Sequence, residues 1–374
     1  MTMPDLRRDV AAPTSNRVRF RRRRVAVSAL VAIATVLVTG TGAGASPPPS
    51  TPEPTVIADG LAGPLSIEAL RGRSLVSQSF SGTVSTVSSD GTVTDLFSDP
   101  EGAEGAALGP FGTIVYGSRT GDEMTFGDSY VKVRFPWGTT KLLADLGAYE
   151  RANNPDAGNS YGVQGITDEC AAQWPVEQFG PASYSGGIDS HAYKFAVGLF
   201  GVYVADAGAN AIFFVSWSGR IHTVAVLPPQ PVQLPPDPTV MGLPACVAGL
   251  TYNFEPVPTD IETTGWFSAL VSLLPGGPED ASLGARGSVL RLNLWNGATT
   301  TVAGGLAGAT DLAVGPRGRV FVAEMFGNRI SEITKSGLRT VSELPMPSAI
   351  DWRSGRLFVT YDAFGSGKVG VLTP

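Results

Sequence analysis

The chain has 374 residues, with 27 Lys and Arg against 33 Asp and Glu, for a formal net charge of −6. An acidic balance of this kind excludes the electrostatic footprint of a nucleic-acid binder or of a protein drawn to anionic headgroups. With 43% hydrophobic residues beside 46 Gly and 29 Pro, the composition excludes a disordered chain and points to a turn-rich folded one.

The first segment reads as an export signal. Arg17, Arg19 and Arg21 to Arg24 form a basic region, Val25 to Val38 an apolar run too short for a confident span, and Ala43-Gly44-Ala45 a small-x-small cleavage pattern. A signal peptide over 1–45 is expected, the alternative being an uncleaved anchor. A proline-rich extended spacer follows over 46–54, then a single domain over 55–374. Without residues 1–45 the chain keeps 19 basic and 31 acidic residues, a net charge of −12. The expected location is secreted or extracytoplasmic.

From residue 55 onward one grammar recurs: short apolar runs alternate with polar residues between Gly-containing turns, as antiparallel strands require. Its clearest copy is TDLAVGPRGRVFVAEMFGNRISEITKSGLRTVSEL (310–344), which parses as four strands. Copies also cover 66–97, 105–146, 189–227 and 259–306, and a last one over 348–374 stops one strand short. TVIADGLAG (55–63) resembles TVAGGLAG (301–308), the outer strand of an earlier copy, so the N-terminal strand is expected to complete the last unit. The fold expected is therefore all-β, a six-bladed β-propeller with the N-terminal strand closing the last blade; a β-sandwich would not explain copies at this spacing.

The stretch YERANNPDAGNSYG (149–162) interrupts the repeats. It reads as turn-rich, with no clear strand for roughly 25 residues after it, and is expected to cap the channel mouth. PPQPVQLPPDP (228–238) reads as a rigid exposed loop, and WFSALVSLLPGGPED (266–280) as apolar residues carried into a long inter-strand loop. Cys170 and Cys246, the chain's two cysteines, have 75 residues between them. A disulfide is expected in an oxidising compartment, the alternative being two separate buried thiols.

Several of these blocks together resemble a known family. VYVADAGANAI (202–212) resembles the strand pair of NHL-type and SMP-30-type propellers. LADLGAYERANNPDAGNSYG (143–162), VPTDIE (257–262) and TDLAVGPRGRVFVAE (310–324), in this order, resemble the ScyD/ScyE family. The chain departs from the family pattern at Asn159-Ser160-Tyr161, where Asn-Pro-Tyr is usual, and at Leu70-Arg71-Gly72-Arg73, where a GPDG turn is usual. The resemblance implies an exported six-bladed propeller and no particular reaction.

Candidate site residues follow from where such a fold gathers side chains, the face on which first strands begin. Asp189, Asp260 and Asp311 fall at or near first-strand starts, and Asp206 and Glu324 end second strands, so five carboxylates are candidates for surrounding one funnel. Asn153, Asn154 and Asp156 add oxygens from the capping stretch. Such hard oxygen donors suit Ca²⁺ or Mg²⁺, while the same residues could equally tie blade to blade through backbone amides. The SMP-30 resemblance implies a second possibility, a metal-dependent lactonase with Glu104, Asn210 and Asp260 as ligands. His191 could face the channel, and His222 is expected on a solvated outer face. No zinc spacing, phosphate loop or nucleophile elbow is present, so no catalytic residue is assigned. The expected role is that of a monomeric binding or accessory protein for a small molecule or an extracellular protein, with no nucleic-acid or membrane partner.

Overall fold

A computed structural model describes residues 51–121, 127–277 and 283–374. The proposed signal peptide and the first five residues of the spacer lie outside them. The described residues are organised in seven four-stranded sheets, each with antiparallel pairing throughout.

Six of these sheets are plain meanders whose first strands are Pro64–Leu70 (sheet I), Glu104–Leu108 (II), Ala192–Val197 (III), Pro258–Gly265 (IV), Ala309–Val314 (V) and Ala349–Arg353 (VI). Each first strand packs on that of the next sheet in chain order, and that of sheet VI packs on sheet I. Sheet VI takes its fourth strand from the other end of the domain: Thr55–Leu61 pairs with Gly367–Leu372, with Thr55 opposite Val371 and Leu61 opposite Gly367.

Sheet V shows why these sequences form these layers. In Val320–Glu324, Val320 and Val322 pack with sheet IV, while Phe321 and Ala323 pack with sheet VI. Successive side chains point to opposite faces, so a strand sandwiched between two sheets must be apolar at both parities. Ala269, Leu270 and Val271 divide the same way between sheets III and V. Six apolar clusters result, one between each neighbouring pair of sheets. Outer strands have one dry neighbour only, and Val93–Ser98 is largely exposed. The turns repeat as well. Gly109-Pro110-Phe111-Gly112 and Gly315-Pro316-Arg317-Gly318 bend alike, with Phe111 and Arg317 both left-handed (φ 58° and 59°), a conformation costing a non-glycine residue on the order of 1 kcal/mol.

The seventh sheet departs from expectation. It is made of Ser183–Ser185, Ser160–Val163, Thr251–Phe254 and Gln230–Gln233, from the segments before and after sheet III. It has its own small core, with Trp174, Leu234, Leu243 and Val247 around the disulfide between Cys170 and Cys246. Three expectations are corrected here. A strand begins within YERANNPDAGNSYG, because Gly162 and Val163 pair with Asn253 and Tyr252, far along the chain. The segment around Gln230–Gln233 is a strand rather than a free proline-rich loop, paired with Thr251–Phe254. Ser268–Leu273 is the buried second strand of sheet IV, not a loop; only its turn is exposed, at Trp266 and Phe267.

The stretch 149–162 is also partly helical. Leu146–Asn153 forms a helix, α1, started by Asp145, whose Oδ1 accepts from Ala148 N at 2.8 Å. It ends at Asn154, left-handed at φ 35°, whose N–H returns to Glu150 O before Pro155 prevents continuation. No helix among the described residues is long and apolar enough to cross a membrane.

Candidate functional site

The first strands of all six meander sheets line a cleft of about 280 Å³. Their period-two alternation turns charged side chains of five of the six strands inward. Sheet I contributes Glu68, sheet III Lys194, sheet IV Asp260 and Glu262, sheet V Asp311, and sheet VI Asp351. Five carboxylates thus share the cleft with one cation.

Three of these carboxylates also tie sheet to sheet. Glu68 Oε2 accepts from Leu108 N at 2.5 Å, Asp260 Oδ2 from Leu312 N at 3.1 Å, and Asp351 Oδ2 from Ala69 N at 2.7 Å. Each bond runs from one first strand to the next, the blade-fastening role weighed from the sequence. Lys194 Nζ is buried against Asp311 Oδ2. Asp260 and Asp311 are hydrogen-bonded to each other, and burial followed by their mutual repulsion pushes Asp311 well above the usual carboxylate range. Two carboxylates this close cannot both ionise, so they share a proton while Lys194 stays charged. Among the described residues nothing donates a hydrogen bond to Glu262; burial, then Asp260 and Asp351, raise it well above its ordinary value. Burial also pushes Asp351 up to about 6, against the pull of the Ala69 and Trp352 amides. Glu68 is raised by burial, partly offset by Leu108 N–H and Arg353.

Of the candidates expected around one funnel, only Asp260 and Asp311 are in it. Asp206 is fully buried elsewhere: its Oδ1 accepts from His191 N (2.6 Å) and Ala209 N (3.0 Å), its Oδ2 from Ser190 Oγ (2.9 Å). Glu324, at the matching place in sheet V, accepts two bonds from Arg329, both at 2.8 Å, one from Ser331 and one from Ala307 N. Burial raises Glu324, but Arg329 and Ser331 outweigh it and hold the carboxylate low. Both residues end second strands, whose last side chain turns to its own loop instead of the axis, so the five-carboxylate funnel is corrected in membership.

The lactonase-type set Glu104, Asn210 and Asp260 does not assemble. Glu104 is taken by His191 Nε2 and by Arg119 at 3.7 Å; burial raises it, and His191 brings it below its usual range. Asn210, left-handed at φ 52°, donates to Asp156 Oδ2 (3.1 Å) and accepts from Val257 N (3.1 Å). Asp260 lies in the cleft. Among the described residues, no group of three or more His, Cys, Asp and Glu side chains is arranged to hold a metal ion. These residues do not fit the metal such a reaction needs. His222 is exposed on its outer strand.

Residues 149–162 build a second acidic region on the face where first strands begin. Asn153 Nδ2 donates to Tyr149 O (2.8 Å) and is exposed. Asn154 Nδ2 donates to Gly186 O (3.1 Å), and Asp156 Oδ2 accepts from Tyr161 Oη (2.9 Å) as well as from Asn210. Asp189 is half-buried and shares a cavity of about 340 Å³ with Glu150. Glu150 was not singled out from sequence. It is fully buried, and burial, then Asp206, Asp156 and Asp189, push it up to about 8. Glu68, Lys194, Glu262 and Asp351 were missed too. Aligning the first strands SIEA, YKFA, TDIE and AIDW by register would have placed charged residues on one inward-facing row.

No family model and no curated protein matches the chain. Among solved structures it is similar to a glucose dehydrogenase, at 12% identity and a TM-score of 0.53 over 86% of this chain and 100% of that one. It is also similar to a virginiamycin B lyase from Staphylococcus aureus (16% identity, TM-score 0.45, 84% and 82% covered) and to a gluconolactonase from Xanthomonas campestris (12%, 0.49, 85% and 89%). The first of these likenesses bears on the fold alone, which is that of a β-propeller.

Proposed function

We propose that this chain is an exported six-bladed propeller of the ScyD/ScyE kind, closed by its N-terminal strand, that binds a small, positively charged polar ligand in its channel. The observation that carries the reading is the charge of the cleft: Glu68, Asp260, Glu262, Asp311 and Asp351 against Lys194 alone. A volume of about 280 Å³ is at the lower end for small-molecule sites, which suits a compact organic amine better than an oligomer. Glu262, without a hydrogen-bond donor among the described residues, and Asp351, pushed up to about 6, are the groups best placed to exchange a proton or a hydrogen bond for a ligand. A binding role is favoured over the hydrolase because Glu104 is closed off by His191 and Arg119. The domain is read as a monomer acting outside the cytoplasm, and Ca²⁺ or Mg²⁺ would enter the channel only in competition with the amine.

Calorimetric titration of the purified protein with putrescine, with glucose as the neutral control, tests the proposal. Putrescine should bind at pH 7.5 and glucose should not. Glu262→Gln and Asp351→Asn should each weaken binding by about tenfold, the scale of one lost charge-assisted contact. Absence of putrescine binding, or an affinity unchanged from the wild type in both variants, would sink it.

A further inference from the structure

The channel's charges are partly answered by Lys194; on the neighbouring face, Glu150 has only other acids acting on it. Glu150 sits in the last turns of α1 with none of its surface exposed, and neither carboxylate oxygen has a hydrogen-bond partner among the described residues. Asp156, 1% exposed, leaves Oδ1 unpartnered, and Asn154 leaves Oδ1 unpartnered as well. These four oxygens come from one short stretch, Glu150 to Asp156, folded back on itself at the left-handed Asn154. Gly186 seals the other side: Asn154 Nδ2 is fixed to its carbonyl, and Asp156 Oδ1 lies so close that a Cβ there would have no room.

A buried carboxylate without donors is expensive, and one facing other acids more so. The charged groups acting on Glu150 are Asp206, Asp156 and Asp189, all of the same sign. The nearby basic groups are committed elsewhere: Arg151 to Asp128, His191 to Glu104, Lys194 to Asp311. What the arrangement lacks is a compact positive charge with several oxygen-ligand positions. The donors are oxygens only, which excludes the soft-metal preference for sulfur and nitrogen. Their number is irregular and they come from a helix end and a loop, which suits the flexible coordination of Ca²⁺ better than the strict octahedron of Mg²⁺. Two carboxylates and one amide oxygen fall short of a full shell, and Ca²⁺ accepts backbone carbonyls and waters for the remainder. The carbonyl end of α1 adds a favourable dipole, and a cavity lined by Glu150 and Asp189 adjoins the Glu150 side of the group.

We propose that Glu150, Asn154 and Asp156 form a Ca²⁺ site on the face of the domain where the first strands begin, distinct from the channel.

The test uses the full purified chain, dialysed against EDTA and then titrated with Ca²⁺ alone or Mg²⁺ alone. Metal analysis should find on the order of one Ca²⁺ per chain, and Ca²⁺ at a hundredfold excess over its Kd should raise Tm by about 4 °C, with a smaller effect from Mg²⁺. Glu150→Gln should abolish the Ca²⁺-dependent rise while leaving the metal-free protein at least as stable, since the buried charge is gone. If Glu150→Gln fails to fold, Asp156→Asn supplies the same readout. Glu262→Gln, in the channel, should keep the full Ca²⁺ response even if it loses putrescine. Wild-type protein that retains no Ca²⁺ above background, or a Glu150→Gln or Asp156→Asn variant with an unchanged Ca²⁺-dependent rise, would overturn the proposal.

Discussion

Replacing Lys194 by Met is the perturbation that most directly tests how the channel holds its charge. The Lys194 and Asp311 side chains are 8% and 3% exposed, and Asp260 is bonded to Asp311 on the other side. Removing one partner of such a buried pair leaves an uncompensated charge and costs about 3–5 kcal/mol. Unfolding entropy for a domain of about 320 residues is near 0.7 kcal/mol per degree, so Tm should fall by about 4–7 °C at pH 8. The loss must depend on pH, with a definite sign. Asp311 and Asp260 have folded-state pKa values above the ordinary carboxylate range, and losing Lys194 raises them further. The folded state then binds more protons than the unfolded chain, so the stability these groups contribute is full at low pH and is lost as pH rises through their folded values. The gap between the Met variant and the wild type should be smallest at low pH and should widen as pH rises. Differential scanning calorimetry at half-unit pH steps reads this out. Lys194→Met with Asp311→Leu should recover most of the loss, because an apolar pair leaves nothing buried and charged. A pH-independent loss, or no loss at pH 8, would refute the account of the channel as a proton-sharing acid pair answered by one lysine.

Three further outcomes follow from the same structure. Asp351, at about 6, should make putrescine binding strengthen as pH rises through 6, while its contribution to folding stability is lost over the same rise; Asp351→Asn should remove both trends, by calorimetry and thermal melts across pH 4.5–7.5. Replacing Cys170 and Cys246 by Ala opens a loop with a sequence separation of 76, worth at most about 4.5 kcal/mol on chain entropy. Because the bridge belongs to the seventh sheet's separate core, hydrogen exchange should rise around Trp174 and Leu243 well before it rises in sheets I to VI. Deleting residues 51–61 removes Ala58 and Leu61 from a buried cluster and bares the edge of Gly367–Leu372; size-exclusion chromatography should show self-association absent from the intact domain.

The four-stranded sheets were legible because their pattern is redundant. VFVA at 320–323 is apolar at both parities and is bounded by Gly turns, and only a strand dry on both faces needs that. The seventh sheet carried no such signal. Its strands are three or four residues long, one reads QPVQ, and their pairings join Gly162 to Asn253 across the whole of sheet III. Local propensity cannot report a partner that distant. The helix Leu146–Asn153 was hidden for a related reason: eight residues with a polar sequence form a helix when Asp145 caps the start and Leu146 and Glu150 are buried, neither of which the stretch reveals alone.

The site was legible in kind and not in membership, and the physical reason is the direction of one side chain. Asp260 and Asp311 sit inside first strands, so alternation turns them to the axis; Asp206 and Glu324 end second strands, so theirs turn to the adjoining loops and are saturated there. The same rule brings Glu68, Glu262 and Asp351 inward, although none stands at a strand start where a repeat motif draws the eye. Glu150 obeys a different rule, since helical spacing places it one turn before Asn154. The two acidic regions therefore differ in how they are compensated. The channel carries its own lysine, and the charged groups acting on Glu150 in the α1 region are all acidic. Neutralising an acid in the channel should weaken an amine and spare the response to Ca²⁺; neutralising Glu150 should do the reverse. Finding both responses lost in one variant would mean that the two regions act as a single field, and the separation argued from Lys194 would fail.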